Sequence, residues 1–379
     1  MKLIDIKKAL FFTSCSHAGK FFLDSLLDGH PNILGFNPTT LAKTVRRQVK
    51  SIRGLSGDAL EDALTAYVDG VFRENEWDSF VTEDSGEGSR ALPWISDFRA
   101  AVHTRTVDGA EFSEKDLLLL IYWSLYETFY GPYTSDKEPV FFIDVHDGSE
   151  EEETLKWLLG LGFEVTLIEA IRNPILKLGS FFRIWKTNTI RPKNLFRQLS
   201  YLGHETLNET ERKQPIIRYR FEDLKLYPEE LLTRLCSRLE IPWDDCLMEA
   251  TFLGKGSAFT TKGGEKTKGF SLKQVWYPYD EYFDAFDRFR LDLLFYQRCR
   301  AYDYSYVDPS KYPWPEKEMT KLFEYPFRFE DQLVFESEES RLQYRRDLCD
   351  LAEKLVDMYQ HEEDFPEAFC FGDYLKVEK

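Results

Sequence analysis

Short unbroken apolar runs alternate along this chain with segments whose apolar residues recur every three or four positions. The first run, residues 9–14 (ALFFTS), passes through small residues into 21–27 (FFLDSLL), a spacing that predicts strand, tight turn and helix. That helix ends at Asp28-Gly29-His30-Pro31, where Gly suits a C-cap and Pro forbids continuation. Runs at 139–145 (PVFFIDV), 163–169 (FEVTLIE) and 215–219 (PIIRY) predict three more strands, with helical patterns over 150–161, 174–212 and 228–239. Buried parallel strands read as continuous apolar runs, and strands alternating with helices build a mostly parallel central sheet with helices on both faces. The predicted fold class is therefore α/β. From residue 39 to about 130 the pattern is mainly helical, with no clear strand. It begins with a basic segment carrying Lys43, Arg46, Arg47, Lys50 and Arg53, continues through 58–75 and 114–129, and has a loop at 85–89. Helical spacing returns at 280–299 and, in an acidic aromatic tail after Tyr306, at 338–359.

Charge narrows the functions this chain can have. It has 49 Lys and Arg against 66 Asp and Glu among 379 residues, a net charge of −17. Such a field repels a phosphate backbone, so sequence-independent nucleic-acid binding is excluded and any anionic ligand needs a specific pocket. An apolar content of 43% excludes a disordered chain. Six cysteines, at 15, 236, 246, 299, 349 and 370, form no CxxC pair and share no ligand spacing with the histidines, so no zinc site is expected. The longest apolar run, 117–123, is far short of the ~18 residues of a membrane span. The opening MKLIDIKKALFFTSCS reads as a strand rather than a signal peptide, and with scattered cysteines the expectation is a cytoplasmic protein.

Open parallel sheets bind ligands beyond the carboxyl ends of their strands, so the residues there carry the candidate chemistry. After the first strand come Ser14-Cys15-Ser16-His17-Ala18-Gly19-Lys20-Phe21. Small residues let backbone N–H groups wrap an anion, a helix N-terminus adds positive potential, and Lys20 or His17 adds charge, which suits a phosphate or phosphosulfate. The same residues also suit an ordinary sharp strand-to-helix turn. A nucleotide-triphosphate loop is disfavoured, because Ser14 replaces its first Gly and Phe21 stands where Ser or Thr would hold magnesium. After the third strand Ile171-Arg172-Asn173-Pro174 places Arg172 for a bidentate phosphate contact, with Ser180 on the following helix.

These two turns resemble those of sulfotransferases that use 3′-phosphoadenosine 5′-phosphosulfate (PAPS). In that family a small-residue loop after the first strand binds the 5′-phosphosulfate, and Ser16-His17-Ala18-Gly19-Lys20-Phe21 with the following LDSLLDGHP occupies that place. Arg172 and Ser180 keep the family's spacing for a 3′-phosphate site, and Arg220-Phe221-Glu222-Asp223-Leu224 is similar to its Arg-Tyr-Glu-Asp-Leu. The resemblance covers residues 9–35 and about 139–300. It implies one P-loop-like domain with a core over 1–35 and 139–305, a large helical insertion over 36–138 and a C-terminal extension over 306–379.

The resemblance also implies roles. Ser16, Ala18, Gly19, Lys20 and Phe21 line the 5′ side of PAPS, Phe22 its adenine, Arg172 and Ser180 its 3′-phosphate, Phe221 another part of the donor site, and Lys262 and Gly263 a loop over the donor. His146 in Ile143-Asp144-Val145-His146-Asp147 is the general base, its imidazole pKa of ~6.5 suiting that role, with Asp144 or Asp147 to orient it. Lys20 and His17 stabilise the leaving phosphate. The sequence departs from the family where His17 replaces a basic residue, Lys20 and Phe21 replace two Thr, and Phe221 lacks the usual Tyr hydroxyl. No metal is required, and the acceptor is a small molecule or glycan bearing a hydroxyl or amine. A P-loop ATP-dependent kinase and a non-catalytic nucleotide-binding relative are the alternatives.

Overall fold

The computed structural model describes residues 6–13, 18–35, 39–74, 80–82, 94–106, 111–145, 148–185, 190–203, 208–260, 266–276, 279–307, 311, 316–360 and 375. Five parallel strands form the central sheet: β1 (Lys8–Thr13), β2 (Ile33–Gly35), β4 (Val140–Asp144), β5 (Glu164–Ile171) and β6 (Ile216–Arg220), in the order β2-β4-β1-β5-β6. In the middle, Phe11 of β1 is in register with Ile143 of β4 and Leu167 of β5. Alternate side chains divide between the two faces. Ala9, Phe11, Phe141, Ile143, Val165 and Leu167 pack beneath α2 (Thr39–Ser51), α3 (Gly57–Glu74), α4 (Ile95–Thr106), α5 (Glu114–Tyr130) and α6 (Gly148–Gly160). Leu10, Phe12, Phe142, Ile168, Ile217 and Tyr219 meet α1 (Lys20–Leu27) and α11 (Pro228–Leu239) on the other face. Burial on both faces is why these strands are uninterrupted apolar runs.

A further core gathers α7 (Pro174–Trp185), α8 (Pro192–Gly203), α12 (Ala285–Leu294), α13 (Tyr296–Ala301) and α15 (Glu338–Gln360). A buried ionic knot ties this layer to the sheet. Glu169 of β5 takes the Nε–H of Arg218 at 2.7 Å and the hydroxyl of Tyr201, while Arg298 reaches the carbonyl of Tyr201 at 3.1 Å. Burial alone would raise the Glu169 pKa, but Arg218 and Arg298 outweigh it and hold the carboxyl below its usual range.

The predicted strands and most helices are present within a few residues of their expected ends, and three expectations are corrected. The region between 39 and 130 does contain a strand, β3 (Phe80–Thr82), which pairs antiparallel with β8 (Lys255–Thr260). The Gly- and Lys-rich composition of 254–268 reads as a loop, yet its described residues form β8 and β9 (Lys266–Lys268), paired antiparallel, with β7 (Thr251–Phe252) beside β8. The helix expected over 280–299 is split at Phe295 into α12 and α13. The loop expected at 85–89 lies outside the described residues.

The LLDxHP segment that ends α1 turns out to be structural. Asp28 accepts hydrogen bonds from the Tyr130 hydroxyl, from Thr251 Oγ1 at 2.7 Å and from the Gly254 amide at 3.0 Å, joining α1 to α5 and the β7–β8 turn. His30 is buried, with Nδ1 accepting from the Asn32 amide at 3.0 Å, which leaves Nε2–H to donate to the Pro242 carbonyl at 3.2 Å.

Candidate functional site at the carboxyl edge of the sheet

The first loop enters α1 through Gly19, whose φ of 92° lies in the left-handed region. A Cβ there would stand 2.2 Å from Cδ2 of Phe221, so both the backbone conformation and the packing require glycine. Phe221 opens α10 (Phe221–Leu226) directly after β6. Arg172, one residue beyond β5 and buried, puts its guanidinium carbon 5.0 Å from the centroid of the same ring. One turn further along α10, buried Lys225 places Nζ 5.5 Å from that ring and 3.1 Å from the centroid of Phe22. Phe22 lies edge-on to Phe221 at 6.4 Å and to Phe270 at 5.3 Å. The Phe221 ring is thus the hub on which the first loop, the end of β5 and the start of α10 converge.

Two cations near one ring raise each other's energy when water is excluded. Burial, reinforced by the Arg172 charge, pulls the Lys225 pKa down to about 7. Its ammonium donates to the Gly269 carbonyl at 2.7 Å, tying α10 to the chain just after β9.

The turn carrying Arg172 is fixed by groups from three elements. Asn173 caps α7, its Oδ1 accepting from the amides of Ile175 and Leu176 at 3.0 and 3.1 Å. Glu222 of α10 accepts the Asn173 amide at 2.9 Å through one oxygen and the Tyr304 hydroxyl at 2.7 Å through the other. Arg220 pairs with Asp223 at 3.2 Å and donates to the carbonyls of Tyr302 and Asp303, its guanidinium over the Tyr304 ring. The Arg-Phe-Glu-Asp segment therefore acts as a frame for the turn at Arg172. Ser180 is buried on α7. Its neighbour Gly179 admits the Tyr279 ring so closely that a Cβ would fall 2.2 Å from it.

Lys20 points inward rather than along the loop. Its ammonium pairs with Asp144, the last residue of β4, at 2.6 Å, and approaches the Val145 carbonyl at 3.4 Å. Asp24, one turn on, is wholly buried beside this pair, its carboxyl against that of Asp144. Burial first, and then the neighbouring Asp144, push its pKa well above the carboxylate range, with Lys20 only partly opposing them.

Of the residues singled out in the sequence, Ala18, Gly19, Lys20, Phe21, Phe22, Arg172, Ser180 and Phe221 are described. Gly19, Phe22, Arg172 and Phe221 meet, and Lys20 stands beneath them. His17, Ser16, His146, Lys262 and Gly263 lie outside the described residues. Sequence reasoning gave no role to Lys225 or Glu222. The available signal was the spacing from Phe221 to Lys225, i to i+4 on one helix face. Among the described residues there is no group of three or more His, Cys, Asp or Glu that could hold a metal ion, and no helix long and apolar enough to cross a membrane.

No family model and no curated protein matches the chain. Among solved structures it is similar to the sulfotransferase domain of the Synechococcus PCC 7002 olefin synthase, at 16% identity and a TM-score of 0.43, over 80% of this chain and 98% of that one. It is also similar to the sulfotransferase domain from the curacin biosynthetic pathway, at 14% identity and a TM-score of 0.40, over 80% of this chain and 99% of that one.

Proposed function

We propose that the chain is a sulfotransferase that moves a sulfuryl group from PAPS to a hydroxyl or amine of a small-molecule or glycan acceptor. The observation that carries this reading is the meeting of Gly19 and Arg172 on the Phe221 ring at the carboxyl edge of a parallel sheet. A ligand with phosphates at both ends of an adenosine needs cations and backbone amides within one nucleotide's reach, and the sequence motifs for the two ends are the ones that meet here. In a chain of net charge −17, cations buried at a strand edge also favour an anionic ligand.

The donor supplies an activated sulfuryl group on a phosphate leaving group. Arg172 and Ser180 hold the 3′-phosphate. The amides of Ser16, Ala18, Gly19 and Phe21 surround the 5′ side, with His17 for charge. Phe22 faces the base, and Phe221, Lys262 and Gly263 complete the donor site. His146, two residues beyond Asp144, takes the proton from the acceptor as its oxygen or nitrogen attacks sulfur and the sulfur–oxygen bond to phosphate breaks. Lys20, engaged with Asp144, ties the start of α1 to the end of β4.

Calorimetric titration with 3′-phosphoadenosine 5′-phosphate, adenosine 5′-phosphate and ATP with magnesium tests this reading. The first should bind best. Arg172→Ala should weaken it about tenfold or more while changing adenosine 5′-phosphate little, as expected for a lost charge-assisted contact. Equal losses on both nucleotides, or a preference for ATP with magnesium, would reject the assignment.

A further inference from the structure

Lys225 belongs to no motif discussed so far, yet it is a buried cation set among aromatic rings. It is buried, its ammonium lies 3.1 Å from the Phe22 ring centroid and 5.5 Å from that of Phe221, and Arg172 stands 5.0 Å from the latter ring. Three other buried cations each take a carboxylate: Lys20 takes Asp144, Arg218 takes Glu169 and Arg290 takes Asp287. Among the described residues no carboxylate lies within ion-pair distance of Lys225, and its one hydrogen bond goes to the Gly269 carbonyl. An ammonium has three N–H donors, and the Gly269 carbonyl and the face of the Phe22 ring leave one more. A buried ammonium with no carboxylate of its own, placed near a second cation, is unfavourable in a dry site, and an anion within its reach would remove that cost.

We infer that Lys225 is a second cationic ligand for the phosphate held by Arg172, so that the site takes a phosphomonoester dianion between a guanidinium just after β5 and an ammonium from α10. This rests on the sulfotransferase reading and adds a residue to it. The pair explains a division of labour. Arg172 supplies a planar fork fixed by the Asn173 and Glu222 frame, while Lys225 supplies a compact charge on a flexible stem. Lys225 also connects the site to the β8–β9 pair through Gly269. The competing role is a plain structural tether of that carbonyl.

Substitution separates the two roles. Lys225→Gln keeps a donor for the Gly269 carbonyl and removes the charge, and Lys225→Met removes both while keeping the stem. Calorimetry with 3′-phosphoadenosine 5′-phosphate should show about a tenfold or greater loss of affinity for Lys225→Gln, with adenosine 5′-phosphate changed less than about twofold. Unchanged affinity for the 3′-phosphorylated nucleotide would overturn the inference alone, and so would equal losses for both nucleotides, which a tether explains. Should Lys225→Met unfold, the Gln variant still decides. Absence of 3′-phosphoadenosine 5′-phosphate binding by the unsubstituted protein would remove the sulfotransferase reading and this inference together.

Discussion

Gly19 shows how much a single position can determine here. Its left-handed φ is open to glycine without penalty, and the Phe221 ring fills the space a side chain would need. Gly19→Ala meets both obstacles. The backbone contributes about 1–2 kcal/mol and displacement of a packed ring about 1–3 kcal/mol, so a loss of about 2–5 kcal/mol should appear as a lower urea midpoint. Because Phe221 also supports Arg172, the same variant should bind 3′-phosphoadenosine 5′-phosphate poorly even at temperatures where it stays folded. Normal stability with normal binding would show that Phe221 can step aside. The glycine was legible in the sequence because small residues after an apolar run have few other uses. The need for it was not, since the ring it accommodates lies 202 positions away, in a segment read from sequence only by its likeness to a family motif.

At the scale of elements, the strands were readable because strands buried on both faces carry apolar residues at every position, and α11 was readable from its opening Pro and amphipathic spacing. What escaped had no such signature. β2 has three residues, too few for a period, and its pairing with β4 depends on the sheet already being there. β3 and β8 pair across about 175 positions, and the Lys and Gly content that makes 254–268 look like a solvated loop says nothing of a distant partner. The turn after β5 was half legible. Asn173-Pro174 announces a cap, but the acceptor that fixes it, Glu222, comes from another βα junction. Glu222→Ala should leave the Asn173 amide and the Tyr304 hydroxyl without their partner, which is expected to lower stability by about 2–4 kcal/mol in chemical denaturation. It should also weaken 3′-phosphoadenosine 5′-phosphate binding without touching the ligand, through a less fixed Arg172. A variant with full affinity would show that the cap alone positions the turn.

Across the whole molecule, an excess of acid is combined with a few cations withdrawn from water, and each buried group must be neutralised locally. Glu169 manages this with two arginines, whereas the cluster under the first loop has the opposite imbalance: Asp24 and Asp144 share one ammonium, Lys20. Asp144 holds the ion pair, so Asp24 is the group that keeps a proton. Its folded pKa lies well above the 3.8 of the unfolded chain, so this residue's contribution to stability is complete below about pH 3.8 and is lost as pH rises through the folded value. An Asn at 24 has the same shape, never ionises, and can donate to Asp144 as the protonated carboxyl does. Asp24→Asn should therefore stabilise the protein at pH 7–8, by an amount that shrinks toward acid, measured by urea denaturation across that range. Asp144→Asn should do the reverse, since it strips a buried ammonium of its counter-charge at about 3–5 kcal/mol and releases the loop from the end of β4. Loss of stability from Asp24→Asn at every pH would mean that the Asp24 carboxylate is ionised and needed, and that the cluster's charge is balanced by a group beyond Lys20.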